Sequence, residues 1–405
     1  MASRVVTVTA NAAGESIDVG WRCSRSSASC ATSSASVALP NIPYATENIS
    51  GRSSDRSVMS LTAGICHSGH GGSVVGVAWT QWVRREEPIM RMFVAGGTGE
   101  VGRRLVPQLV QRGHEVVGTT RTPAKADQLR AAGAEAAVLD ALDAEQMMRA
   151  VVDAKPEVVL HELTALSGPA SIRRFDAFFE ATNRLRTVGT DNLIAAALAA
   201  GARRIVVQSY AGWTYARTGG MVKSESDPLD EQPARNAAAT LAAIKYAERA
   251  TMAAPIEHVV LRYGGFYGPG NALGRDVGKD GELLTMVRGR RLPIVGSGDG
   301  LWCFVHIDDA VSATVLAAEG SPQGIYNVVD DEPAQARSWL PYLAQAIGAK
   351  PPLHVPAWLV RPFVGEYVVM TMTTARGASN ARARAQLGWQ PRYPSWRDGF
   401  RTGLG

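Results

Sequence analysis

Residues 90–102 read MRMFVAGGTGEVG, and the reading of this stretch decides the fold. A short apolar run, Met92 to Ala95, stops at glycines at positions 96, 99 and 102. An amphipathic helical pattern follows, from Val101 through Leu105, Leu109 and Val110. Strand, tight turn and helix in that order bring backbone N–H groups at a helix N-terminus up to a dinucleotide pyrophosphate. Gly96 permits the turn, Gly99 lets backbone approach phosphate, and Gly102 lets the helix close on the strand. The expected phosphate cradle is thus Gly96, Gly97, Thr98, Gly99, Glu100, Val101 and Gly102. A glycine triplet alone is a weak signal, and the flanking strand and helix give it its meaning.

Working outward, alternation of strands and helices continues to the C-terminus. Strands are expected at 114–119, 135–139, 157–161, 204–209, 258–262 and 325–329. Helices are expected at 101–112, 123–132, 143–153, 175–200, 236–253 and 309–319. Such alternation predicts an α/β fold, a doubly wound Rossmann-type parallel sheet covered on both faces. Ligands of these sheets lie beyond the C-terminal strand ends. That rule gathers the glycine turn, Thr120 and Arg121, Asp140, the 161–165 segment, 209–215 and 262–270 around one crevice. The expected organisation is a Rossmann domain of 89–263 plus 301–330. A small substrate-binding cap of 264–300 plus 331–405 would stand over the crevice.

Residues 1–88 are rich in Ser, Ala, Thr and Gly, contain no Lys or Phe, and show little periodicity. They are expected to form a disordered extension. A misassigned start, with Met90 or Met92 the true one, is the favoured reading of it, ahead of an organellar transit peptide. Cys23, Cys30 and Cys66 lie there, leaving only Cys303 in the body, so no disulfide framework is expected and the compartment reads as cytoplasmic. Cys66, His67 and His70 match no standard zinc spacing. The net charge of +5 is small for 405 residues, and no basic stripe interleaves with aromatics, which argues against a nucleic-acid partner. No apolar run reaches the length of a membrane span.

Several separate segments carry a family resemblance: VAGGTGEVG at 94–102, VGTDNLIAAA at 188–197, LRYGGFYGPG at 261–270, FVHIDDAV at 304–311 and IYNVVDDEP at 325–333. In these segments the chain resembles the extended short-chain dehydrogenase/reductases, in particular the NAD-dependent epimerase/dehydratase group. The resemblance implies hydride transfer between a nicotinamide and a small hydroxyl or carbonyl compound, such as a nucleotide-sugar. It also implies a homodimer through the helices at 175–200 and 236–253.

That family uses Ser or Thr, Tyr and Lys, the last two as Tyr-x-x-x-Lys on one helix face. A phenol is a poor base at neutral pH without a nearby cation. Lys245 fits the Lys position and would also hold the cofactor, but Leu241 stands where the Tyr belongs. Ser209 fits the Ser position, although Tyr210 competes for it, and the family's helix Asn falls on Arg186. Tyr210 and Tyr215 are the best-placed replacement acids; Glu162, Tyr246 and Tyr263 are further groups. Loss of the Tyr leaves a second reading open, a non-catalytic NADP(H)-binding regulator. Strand two ends in Thr120 and Arg121 where an NAD enzyme places a carboxylate, which favours NADP over NAD. Asp140 matches the adenine contact or else caps the next helix, and Asp308 reads as a helix cap. Leu163, Thr164 and Ala165 match the segment beside the cofactor, while Arg262 and Tyr267 are expected to line the substrate pocket, unless Arg262 only anchors its strand.

Overall fold

The structure, a computed structural model, describes residues 88–166 and 174–405 together with the backbone of four strands nearer the N-terminus. Two units are distinguished, Met1–Pro88 and Ile89–Gly405. In the first, Val5–Ala10, Ile17–Arg22, Leu61–His67 and Ser73–Trp79 pair antiparallel in one sheet. These short runs, rich in β-branched residues, carry the strands that the low periodicity of the region did not lead us to expect. The disorder expected for the rest of this unit, and the side chains of Cys66, His67 and His70, lie outside the described residues.

The second unit is built on seven strands: β1 Arg91–Ala95, β2 Glu115–Thr120, β3 Glu135–Val138, β4 Val158–His161, β5 Arg204–Tyr210, β6 Glu257–Tyr263 and β7 Gly324–Val328. All neighbouring pairs are parallel, in the order β3-β2-β1-β4-β5-β6-β7. The order reverses between β1 and β4, which opens the crevice where such sheets hold ligands. The helices between them are α1 Gly102–Gln111, α2 Ala126–Ala131 and α3 Ala144–Ala154. A helical run, α4, passes through Phe175–Phe178, Glu180–Arg184, a π-helical turn Leu185–Gly189 and Thr190–Ala199. Further on come α5 Ala238–Ala253, α6 Glu282–Arg288, α7 Ile307–Glu319, α8 Ala336–Ala346, α9 Ala357–Thr373 and α10 Trp396–Thr402.

Strand periodicity sorts the core onto two faces. Met92, Val94, Leu160, Val206 and Leu261 pack on one side with Leu105 and Leu109 of α1 and Val311 of α7. Phe93, Ala95, Val159, Ile205 and Val207 pack on the other with Met147 and Val151 of α3 and Leu193 of α4. Burial on both faces explains why these strands read as continuous apolar runs. A third cluster, from Tyr267 onward, joins Leu284, Ile294, Phe304, Trp339, Trp396 and Phe400. Among the described residues no helix is long and apolar enough to cross a membrane.

Candidate cofactor crevice and active site

The turn between β1 and α1 has glycines where side chains cannot fit. Gly96 has φ +93°, and a Cβ there would stand 2.4 Å from the Glu162 carbonyl oxygen. A Cβ on Gly102 would stand 2.2 Å from the Gly96 oxygen. Inside the turn the Gly99 amide donates to the Gly96 oxygen at 3.0 Å, and the Gly96 amide donates to Thr119 Oγ1 at 2.9 Å. The amides of Glu100, Val101 and Gly102 donate to no backbone oxygen among the described residues. Unmatched N–H groups at a helix start form an anion-binding donor set, so the residues present fit a dinucleotide pyrophosphate. Glu100 faces outward and pairs with Arg103 and Arg104 at 2.6 and 3.2 Å.

Beside the turn, Thr98 donates to Thr120 Oγ1 at 3.1 Å. Arg121 is exposed and has no ion pair among the described residues. Asp140 accepts the Leu142 amide at 3.0 Å and does not cap α3. The cap is Asp143, which accepts from Glu145 and Gln146, each at 3.0 Å. Similarly, α7 is capped by His306, whose ring accepts the Asp308 amide at 3.2 Å; Asp308 sits inside the first turn instead. After β4, Leu163 is buried and its carbonyl accepts from Gln208 at 2.9 Å, Thr164 is exposed, and the Ala165 amide donates to Thr182 at 3.1 Å. His161 is structural, bonded to Thr190 at 3.0 Å.

Glu162 is buried, and burial pushes its carboxyl up to about 8. Tyr263 donates to Oε1 at 3.1 Å, while Oε2 has no hydrogen-bond partner among the described residues. Because the folded-state value lies above the ordinary one, the folded protein holds a proton that the unfolded chain releases between about pH 4.5 and 8. The native state binds more protons in that window, so this group makes stability fall as pH rises through it. Glu162→Gln should therefore gain melting temperature relative to the parent at pH 8 and little at pH 4.5. An equal shift at both values contradicts the burial account.

The expected catalytic residues separate into two groups. Ser209 donates to Glu248 Oε1 at 2.6 Å, and Glu248 is held by Arg262 through two contacts of 2.7 and 2.6 Å. Arg262 also donates to the Tyr215 hydroxyl at 2.9 Å, which donates to Asn327 at 2.6 Å. Ser209, Tyr215 and Arg262 are thus tied into one network that stitches β5, β6, β7 and α5 together, and Arg262 anchors its strand rather than lining a pocket. Tyr267 is likewise no pocket residue: its ring lies against Gly399, 5.2 Å from His306 and 5.4 Å from Phe400. Lys245 turns its ammonium to the Asp230 carbonyl and Glu231, at 2.8 and 2.9 Å. The inward positions of α5 include Leu241, Ile244 and Glu248, and Lys245 is rotated by about 100° from Ile244.

Tyr210 stands apart from this network. It ends β5, and its hydroxyl makes no hydrogen bond among the described residues. Its ring lies between Gly212 and Gly265, beside Cys303, in a crevice shared with Trp213, Trp302 and Tyr367. Burial raises its phenol above the ordinary range, while the Arg186 guanidinium opposes the shift. Sequence reading placed Arg186 only at the family's Asn position and did not find Tyr367, because no helix was expected over 357–373.

Residues 92–328 match the model of the NAD dependent epimerase/dehydratase family. The chain is 44% identical over 314 residues to a 3-diazoavenalumate denitrifying reductase of a Streptomyces species, covering 77% of this chain and 99% of that protein. It is 30% identical over 326 residues to UDP-glucose 4-epimerase of Mycolicibacterium smegmatis, covering 75% of this chain and 94% of the relative. In fold it is similar to the UDP-glucose 4-epimerase of Thermotoga maritima solved with UDP-glucose, with a TM-score of 0.59 at 22% identity over 78% of this chain and 97% of that one.

Proposed function

The chain belongs to the NAD dependent epimerase/dehydratase family, and from that premise we propose that it is a reductase using NADP(H) in the Gly96–Gly102 crevice. The observation that carries this reading is the turn itself, closed by Gly96 and Gly102 against backbone, with the Glu100, Val101 and Gly102 amides left to receive an anion. The Gly96–Gly102 turn would hold the dinucleotide, whose nicotinamide would supply the hydride. Reduction is favoured over sugar epimerisation by the 44% identity to a reductase against 30% to an epimerase.

The chain's own task is then to hold the substrate and donate a proton. Tyr210 suits that role in place of the missing Tyr-x-x-x-Lys phenol. Burial keeps its phenol protonated at neutral pH, so it is present as a donor and not as a base, while the same shift weakens it as an acid unless a cation stabilises the phenolate. Arg186 stands where the resulting phenolate would need a cation.

NADP is preferred in this reading because Thr120 and Arg121 leave no carboxylate to repel a 2′-phosphate, and Arg offers a planar fork to bind it. Arg121→Ala should weaken NADPH binding by about tenfold, equivalent to about 1.4 kcal/mol, and leave NADH unchanged. Tyr210→Phe should reduce kcat for NADPH-driven reduction by about 10²-fold or more with cofactor affinity intact. Both are read by following NADPH consumption against a panel of small carbonyl and diazo compounds. Full activity in Tyr210→Phe removes the proton-donor role. No NADPH consumption by the parent with any compound counts against the reductase reading.

A further inference from the structure

Residues 351–363 read PPLHVPAWLVRPF, and most of this apolar run lies on the surface. It runs into α9, whose first two turns, 357–364, hold a single charged residue, Arg361. Ala357, Val360 and Val364 face inward against the cluster that contains Ile294, Trp339 and Val368. The remaining positions leave Trp358, Leu359, Pro362 and Phe363 in solvent, with Trp358 77% and Phe363 71% exposed. Leu353, just before the helix, is exposed as well. A surface helix ordinarily turns a polar face outward, and one apolar nearly all round belongs in an apolar medium. Exposed apolar side chains scattered singly need no explanation, but a contiguous set of this kind marks an interaction surface.

The rim of this surface is basic. Ile294–Val295 pairs with His354–Val355, and the Ile294 amide donates to the Leu353 oxygen at 2.8 Å, which sets the segment after α6 beside the run. Arg290 donates to the Pro351 oxygen at 3.0 Å, and Arg291 and Lys350, next to these two residues in the chain, are exposed. Arg290, Arg291 and Lys350 pair with no carboxylate among the described residues. Asp280 and Asp299, on neighbouring segments, are held by Arg275 and Arg288 and by Arg337. Arg361 stands among the exposed positions of α9 and reaches Glu366 at 3.3 Å. A two-fold dimer through this face would bring the basic rim against itself. An anionic lipid surface answers both features, since it takes aromatic and aliphatic side chains at the headgroup level and cations against its phosphates.

We propose that the 351–363 surface docks the protein on an anionic lipid bilayer, with Trp358, Leu359 and Phe363 seated among the headgroups and Arg290, Arg291, Lys350 and Arg361 against lipid phosphates. This is attachment to a surface and not a span, in keeping with the absence of a membrane-crossing helix among the described residues. It goes beyond the reductase reading and stands whether or not the Gly96–Gly102 turn holds a dinucleotide. Each cation close to an anionic membrane strengthens attachment by about fivefold. The attraction dies away within a Debye length, so salt weakens it.

The test floats the full-length protein with vesicles of phosphatidylcholine alone, or of phosphatidylcholine mixed equally with phosphatidylglycerol, at low and at high salt. Attachment to the mixed vesicles is expected to be about tenfold or more tighter than to phosphatidylcholine, and to fall at high salt. Trp358→Ser combined with Phe363→Ser should weaken attachment to the mixed vesicles by about tenfold or more. Its melting temperature should not change, because both side chains already lie in water. Arg291→Gln combined with Lys350→Gln should remove most of the preference for the mixed vesicles, again with unchanged melting. Should the first pair fail to fold, the second decides. Equal attachment to both vesicles, attachment indifferent to the substitutions, or no attachment overturns the docking surface. A parent that sediments as a dimer and a Trp358→Ser, Phe363→Ser variant that sediments as a monomer overturns it too, because a second copy would then occupy the face.

Discussion

Glu248→Gln is expected to destabilise the fold by about 3–5 kcal/mol, the usual range for breaking a buried pair by removing one partner. The side chains of Glu248 and Arg262 are each only 4% exposed, with 2.6 Å between Oε2 and the guanidinium. Neutralising Glu248 leaves that guanidinium charged in a low-dielectric core, since its pairing with Glu248 holds it above the ordinary range against the opposing effect of burial. The damage spreads because Ser209 and Tyr215 take their hydrogen bonds from the same pair. A melting temperature lower by several degrees should result. The double variant Glu248→Leu with Arg262→Met should recover most of the loss, because it removes the orphaned charge along with the pair. A Glu248→Gln protein as stable as its parent contradicts the structural role of Ser209, Tyr215 and Arg262, which the sequence placed around the active site.

The second large effect is expected at Gly96. Gly96→Ala forces a side chain into φ +93° and sets its Cβ 2.4 Å from the Glu162 carbonyl oxygen, where backbone cannot retreat. The turn must open, and with it the donor set at the start of α1. NADPH affinity should fall by at least about 100-fold, or about 2.7 kcal/mol. Gly113 is the control: its φ is +90°, yet nothing lies within 4 Å of a Cβ built there. Gly113→Ala should cost about 1–2 kcal/mol of stability for its backbone conformation and leave cofactor binding alone. If the two variants bind NADPH alike, the clash with Glu162 is not what shapes the cradle.

The Rossmann sheet was legible in the sequence because each central strand is buried on both faces and therefore reads as an unbroken apolar run, as in Val158–His161. The turn was legible because only glycine fits its backbone. Cap residues were harder. Asp140 reads as a candidate cap in sequence, and only the backbone geometry shows that Asp143 takes that place. Asp308 lost its cap to a histidine, a residue type rarely read that way. Ser209 and Tyr215 looked catalytic from their positions at and beyond the end of β5, yet Ser209 is captured by Glu248, 39 residues further along, and Tyr215 by Arg262, 47 residues further along, pairings that no local pattern reveals. The crevice is the least legible part. Tyr367 comes from α9, whose Pro362 and kinked Gly365 hide the helical pattern, and Arg186 matters only because α4 turns it toward Tyr210.

The central claim is that the Gly96–Gly102 turn holds a phosphorylated nicotinamide dinucleotide, and calorimetric titration with NADPH and, separately, NADH tests it most directly. The account predicts one site per chain, tighter for NADPH than for NADH, and abolished by Gly96→Ala. Binding of neither dinucleotide would contradict it, and the reductase proposal would fall with it.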